Sequence, residues 1–317
     1  MAGRMERGQS ARGRSSYFQR TWMLYAMLAL PVAFFAVFRY VPMGNIIIAF
    51  KDYNIFRGVL DSPWIWENES RGVFYWFESA FSHARFLPAL RNTIWLNFLD
   101  LAFGFPAPII LAILLNELAF KRFKKITQTI VYLPHFISWI VISGMARQLF
   151  LTDGTVNVLL GHIGVGPISF LGVPQNWVAT FISLGVWRGM GWGTIIYLAA
   201  ITGINSELYE AAEVDGAGRW GKIWHVTLPG IRSTMVVLLI LNLGWMLGSE
   251  FDRYWAMLNP VVLPVGDVIN TLVYDIGLRS FQFSLTAAIG LFQSVVSVIF
   301  LLSANFLAKR FGERGIM

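Results

Sequence analysis

Six runs of mostly apolar residues, each long enough to cross a bilayer, leave this chain few ways to fold. They lie at about 22–39, 93–115, 126–148, 177–203, 232–249 and 283–307. A helix needs about 20 such residues to traverse ~30 Å of hydrocarbon. Lipid offers no water to backbone N–H and C=O groups, so each run must close its own hydrogen bonds as a helix. Composition agrees: 56% of the 317 residues are hydrophobic and only 14% charged, against roughly a quarter charged in soluble domains. The expected class is therefore all-α integral membrane, with six transmembrane helices. Trp22, Trp177 and Trp255 stand where apolar runs meet polar sequence and are expected as interfacial anchors. Pro31, Pro106, Pro108 and Pro134 fall inside the runs, where neighbouring helices can tolerate kinks.

Basic residues give the orientation. Arg4, Arg7, Arg12, Arg14 and Arg20 precede the first run, and Lys121, Arg122, Lys124 and Lys125 fill the second connection. Arg219, Lys222 and Arg232 mark the fourth connection, and Lys309, Arg310 and Arg314 follow the last run. The third connection, 149–176, has no Lys or Arg. The positive-inside rule then puts both termini and the 204–231 loop in the cytoplasm. The first connection carries Lys51, Arg57, Arg71, Arg85 and Arg91, but long translocated loops weigh little in that rule. The net charge of +7 is thus mostly topological, and no nucleic-acid partner is expected. With no A-x-A-like site behind it, the first run is expected to be an uncleaved anchor. The absence of cysteine excludes disulfides and thiol chemistry, and His135 and His162 lack metal-like partners at helical spacing, so both are expected to be structural and no metal site is expected.

The expected organisation is a cytoplasmic basic tail at 1–20 followed by a membrane domain over 21–317. An external insertion at 40–91 holds Asp61-Ser-Pro-Trp64, the aromatic run Phe74-Tyr-Trp-Phe77 and a glycosylation sequon, Asn68-Glu-Ser70, by pattern alone. The other conspicuous segment is the polar loop 204–231, wedged between two apolar runs. Residues 207–214 have helix-forming composition, with Leu208, Ala211 and Ala212 on one side. Gly216 and Gly218 then interrupt the helix. A second short helix is expected across 219–225, presenting Trp220, Ile223 and Trp224 together, with Pro229 ending the unit. Composition fits a docking elbow and a partnerless interfacial helix pair equally well.

At these residues the sequence resembles the EAA loop of binding-protein-dependent ABC importer permeases, E-A-A, three residues, G, nine residues, I-x-L-P. Here it reads Glu210-Ala211-Ala212, Gly216 and Val226-Thr227-Leu228-Pro229, with valine for isoleucine. Tyr40-Val-Pro-Met-Gly44, Ala49-Phe-Lys-Asp-Tyr53, Tyr132-Leu-Pro-His-Phe136 and Ala304-Asn305 resemble the oligosaccharide branch, which includes alginate-type and lipo-oligosaccharide-type importers. The resemblance implies a type I importer permease of the bacterial inner membrane. It also implies a related second permease chain, two ATPase subunits that carry ATP and magnesium, and an external solute-binding protein. Glu210, Ala211, Ala212, Asp215, Gly216, Arg219, Leu228 and Pro229 would then couple the chain to the ATPase, and the substrate would be an oligosaccharide.

A near-match to a phosphate-binding loop, Gly216-Ala-Gly-Arg-Trp-Gly221-Lys222-Ile223, lacks the Ser or Thr needed at 223 and follows helix rather than strand. No cofactor is expected on this chain. Arg188 is the unusual residue, a charge inside the fourth run, where it costs about 2.5–3.5 kcal/mol or more. Gly185, Arg188, Gly189 and Trp192 share one helical face, and Asn242, Met246 and Ser249 share another on the next run. The resemblance implies that these faces line the pathway. There the glycines would open space, Trp192 would offer a plate for a sugar ring, and Arg188 would grip a carboxylate. A structural ion pair for Arg188 and plain packing for Trp192 fit the residues as well. Glu250, Asp252 and Arg253 read as a gate, a docking surface or a solvated rim. An ion-coupled secondary transporter is the alternative class, but it calls for inverted repeats and broken-helix ion sites that the sequence does not display. A membrane enzyme would need a motif such as H-E-x-x-H or G-x-S-x-G, and neither occurs.

Overall fold

A computed structural model describes residues 6–67, 71–248 and 250–310. The sequon, Ser249, Arg4 and Arg314 lie outside the described residues. Helix dominates, as lipid requires; among the described residues there is no strand, only one isolated antiparallel bridge between Lys51 and Trp64. Among the described residues, four helical stretches are long and apolar enough to span a membrane: Thr21–Phe50, Phe86–Asn116, Arg219–Gly244 and Phe283–Arg310.

The other two expected spans differ. The 126–148 run is broken, because Lys121–Phe136 and Trp139–His162 meet at 103°. Pro134 sits in a 3-10 turn, and Ser138, in extended backbone, starts a new helix by accepting from Val141 N. The 177–203 run is one unbroken 29-residue helix, Pro174–Thr202. Arg188, its only charge, together with its Gly, Thr and Trp residues makes it less apolar than those four.

The chain divides into two compact units, Met1–Tyr75 and Trp76–Met317, a division that falls inside the 40–91 stretch. In the first unit, α1 (Glu6–Phe35) continues through a π-helical turn, Ala36–Tyr40, and on to Phe50. Beyond it, Lys51 is buried and donates to the carbonyls of Val59 and Leu60 at 2.8 and 2.9 Å while standing over the Trp64 ring. Those bonds and the cation–π contact offset the desolvation of its charge.

The second unit contains α2 (Phe86–Gly104), α3 (Pro106–Asn116), α4 (Lys121–Tyr132), α5 (Trp139–Phe150), α6 (Pro174–Thr202), α7 (Ser206–Val214), α8 (Arg219–Lys222), α9 (Leu228–Gly244), α10 (Phe251–Met257), α11 (Ile269–Tyr274) and α12 (Phe283–Arg310). α6 is the central rod and packs along α2 and α3. Small residues let the backbones approach: a Cβ on Gly191 would overlap the Val131 carbonyl, and one on Gly193 would press on Pro108. Trp177 is not an interfacial anchor. It is fully buried against Phe181 and donates from Nε1 to the Met257 carbonyl at 3.0 Å, which satisfies its polar edge inside the protein. Arg85 joins the far end of this unit to the segment before α12 through Asp267 and Asp275, at 2.9 and 3.0 Å.

The innermost tie is ionic. Arg253 on α10 forms a fork with Asp100 on α2, at 2.5 and 2.9 Å, and donates to the Phe181 carbonyl of α6 at 2.9 Å. The Arg253 side chain is 8% exposed and that of Asp100 24%. Removing one member of a buried pair costs about 3–5 kcal/mol, whereas replacing both by apolar groups is often neutral. Asp100→Asn is therefore expected to lower the thermal midpoint of the detergent-solubilised protein by several degrees. An Asp100→Asn, Arg253→Met double variant should recover part of that loss; a double variant less stable than either single one would show that the pair is not the tie.

Candidate functional site

The arginine tie forms one wall of a cavity of about 450 Å³ between α2, α6 and α9, a size ordinary for small-ligand sites. Gly185, Arg188, Gly189, Trp192, Asn242 and Met246 all line it. The structure thus gathers the described members of both expected faces, although not in the expected way. α9 ends at Gly244 and Met246 lies in the turns that follow, so the fifth helical stretch is shorter at this end than 232–249 implies. The turn is held by Gln293, whose side chain donates to the Leu247 carbonyl. Asn242 spends its amide N–H on the Leu238 carbonyl of its own helix.

The glycines divide in role. A Cβ on Gly185 would collide with the Arg253 guanidinium, so the space that Gly185 leaves is filled by protein; Gly189 faces open space. Trp192 has one face covered by His135, which stacks on it at 4.5 Å and 6°, and Phe136 meets it edge-on. His135 Nδ1 is buried without a hydrogen-bond partner among the described residues.

Arg188 is anchored but not saturated. Its Nε donates to the Ile137 carbonyl at 3.1 Å, one of the carbonyls freed where the helix breaks. Its guanidinium lies 4.8 Å from the centre of the Trp139 ring. Nη1 stands 3.5 Å from Glu250 Oε1, long for a hydrogen bond, and the Nη groups donate to no described residue. Arg253 lies 5.0 Å from the same indole, whose Nε1–H donates to Glu250 Oε2 at 2.7 Å. Trp139 is thus shared by both guanidinium groups and tied to Glu250. Arg253 is buried and bound to Asp100, which removes it from the solvated-rim reading; Glu250 at 60% side-chain exposure remains accessible.

Asp100 and Trp139 were missed by sequence reasoning. A lone carboxylate within 93–115 carries the same signal that singled out Arg188. Trp139 had no such signal, since its role depends on a helix break that brings three distant segments together.

The second constellation is the 204–231 loop. Asn205 caps α7 by accepting from Glu207 N at 3.1 Å. Gly216, at φ +79°, ends it in a Schellman turn, with Gly216 N donating to the Glu213 carbonyl and Ala217 N to that of Ala212. Lys222 closes the elbow on Glu213 at 2.7 Å, and this bond holds the Glu213 carboxyl below the usual carboxylate range. Tyr209 and Thr227 hydroxyls share a hydrogen bond of 3.0 Å.

Glu210, Ala211, Asp215, Gly216, Arg219 and Pro229 are exposed, and Ala212 and Leu228 half-buried. The expected aromatic face is corrected in one member. Trp220 and Trp224 are exposed, but Ile223 is buried, because a π-helical turn over Ile223–Thr227 rotates it inward. Pro229 does not end the unit either. The helix runs on from Arg219 to Gly244, and the wider π turn accommodates the missing proline N–H.

Residues 86–313 match the family described as "Binding-protein-dependent transport system inner membrane component". The polygalacturonan/rhamnogalacturonan transport system permease protein YteP of Bacillus subtilis is 44% identical over 92% of this chain and 89% of its own length. Protein LplB of the same organism is 40% identical over 94% and 92%. Among solved structures, a bacterial ABC transporter involved in import of the acidic polysaccharide alginate superposes with a TM-score of 0.84 at 38% identity, covering 93% of this chain and 98% of that one. The match spans most of the chain and includes both the cavity and the loop. The chain belongs to the family of binding-protein-dependent transport system inner membrane components, as a multi-pass permease of the inner membrane.

Proposed function

We propose that this chain is the permease subunit of an ATP-driven importer that carries acidic oligosaccharides, of the uronate type, through the α2–α6–α9 cavity into the cytoplasm. The observation that carries the substrate class is Arg188. A partly buried guanidinium with unspent donors in a cavity is suited to a carboxylate, which it can meet with a fork of charge-assisted bonds. Trp192, partly exposed and lining the same cavity, would offer a plate for a sugar ring. Relatives named for polygalacturonan and alginate, both acidic polymers, support the same class.

ATP and magnesium act on separate subunits in this proposal. The segment Gly216–Ile223 has no strand before it and no hydroxyl at 223 to hold a metal. The 204–231 loop presents exposed Leu208, Val214, Trp220 and Trp224 around Glu210 and Arg219, a surface suited to the cleft of an ATPase subunit. The full assembly contains this chain, a related second permease, two ATPase copies and an external binding protein. A relative's structure, solved with an alginate pentasaccharide-bound periplasmic protein, supports the last of these.

Two outcomes are expected. Arg188→Ala should reduce uptake of trigalacturonate about ten- to a hundredfold, the equivalent of one charge-assisted bond of ~1.5–3 kcal/mol, and Arg188→Lys less. A carboxyl-reduced analogue should be little affected; equal losses for both sugars would remove Arg188 from recognition. Glu210→Lys, at an exposed position whose side chain bonds to no described residue, should abolish substrate-stimulated ATP hydrolysis while membrane insertion is normal. Undiminished stimulation would refute the coupling assignment.

A further inference from the structure

The charges around the cavity balance, and the balance hangs on its most exposed member. Asp100, Arg188, Glu250 and Arg253 are the carboxylates and guanidinium groups that line it. Asp100 is spent on Arg253 in a buried fork, which leaves Glu250 and Arg188 to face one another. Their contact is uneven. Arg188 is 18% exposed and anchored by a backbone carbonyl and an indole face, while Glu250 is 60% exposed and lies between α9 and α10, in neither helix. At 3.5 Å the pair attracts without a well-formed hydrogen bond. Withdrawing Glu250 would leave the cavity with one net positive charge, centred on a guanidinium whose Nη edge is free.

We propose that Glu250 is an internal stand-in for the substrate's carboxylate. It neutralises Arg188 in the empty cavity, and a uronate carboxylate takes its place. This rests on the acidic-oligosaccharide reading above and adds a selectivity device to it. A carboxylate entering the cavity replaces one anion by another, so Arg188 exchanges partners and the displaced Glu250 moves to solvent. A neutral sugar has no charge to exchange and leaves the Arg188–Glu250 contact closed. Trp139 links the two states, because its Nε1–H donates to Glu250 while its ring lies against Arg188.

The test is equilibrium dialysis of labelled trigalacturonate, and of its carboxyl-reduced analogue, against the detergent-solubilised permease–ATPase complex. Glu250→Gln keeps an acceptor for Trp139 but removes the competing charge. It should tighten trigalacturonate binding roughly two- to fivefold, as expected for loss of a solvent-accessible ion pair, and leave the reduced sugar unchanged. In an Arg188→Ala background the same substitution should have no effect. Glu250→Asp, which keeps the charge but shortens the reach, should shift binding in the same direction by less, and it serves if the glutamine variant fails to assemble.

Acid-selective binding by the wild type that neither Glu250 variant alters, or equal tightening of both sugars, overturns the stand-in role alone. A wild type that binds the reduced sugar as well as the acid overturns the acidic-substrate reading and this inference with it, as does the absence of binding in both wild type and variants.

Discussion

The buried fork between Arg253 and Asp100 is the constraint on which the cavity depends. It joins α10 to α2, and the second Arg253 nitrogen reaches the Phe181 carbonyl of α6, so three segments distant in sequence meet on one guanidinium. In an apolar surrounding such a group is tolerable only when its charge and donors are matched. Here the carboxylate and a carbonyl take both Nη groups, the rings of Phe181 and Trp139 cover the cation, and glycine at 185 makes room for it; Nε alone has no partner among the described residues. Fixing Arg253 in this way fixes Trp139, and Trp139 in turn sets where Arg188 and Glu250 stand.

Close helix packing has a second consequence for the site. Without a hydrophobic driving force between helices in lipid, contact area and small residues decide how near they come. Gly191 and Gly193 bring α6 against the 121–132 helix and α3, while Gly189, on the same helix, meets nothing and opens into the cavity. Gly191, on the opposite side of the helix from Gly189, serves packing alone, while Gly193, one turn on from Gly189, both meets Pro108 and lines the cavity.

Much of this was legible in the sequence because lipid enforces it. The helical class, the loop's glycine turn and the grouping of Gly185, Arg188, Gly189 and Trp192 on one face follow from run length, φ preference and the 3.6-residue period. What escaped was tertiary. Trp177 has the composition of an interfacial anchor, yet a carbonyl from Met257, 80 residues away, lets it sit in the core. The 126–148 run is mostly apolar and long enough to span, but Pro134 and the Ser138 cap break it, and the freed Ile137 carbonyl then holds Arg188. Periodicity places residues on a face; it does not say that the face ends at Gly244, or that the gap at Gly185 is already filled.

The cavity and the exposed loop are joined by helix on both sides. Thr202, at the end of α6, lies 14 residues beyond Arg188 on an unbroken helix, about 21 Å at ~1.5 Å per residue. On the return side the helical path runs from Arg219 to Gly244 and passes Asn242 at the cavity. In the proposed coupling, a displacement of the loop would reach two walls of the cavity at once. The π turn at Ile223–Thr227 is the point where that path departs from regular helix, and π turns are frequent where helices must adjust at functional sites. Its buried Ile223 and Thr227 hold it to the loop through packing and the Tyr209 hydroxyl. The Tyr209–Thr227 bond thus ties α7 of the loop directly to the start of the helical path that leads to the cavity wall.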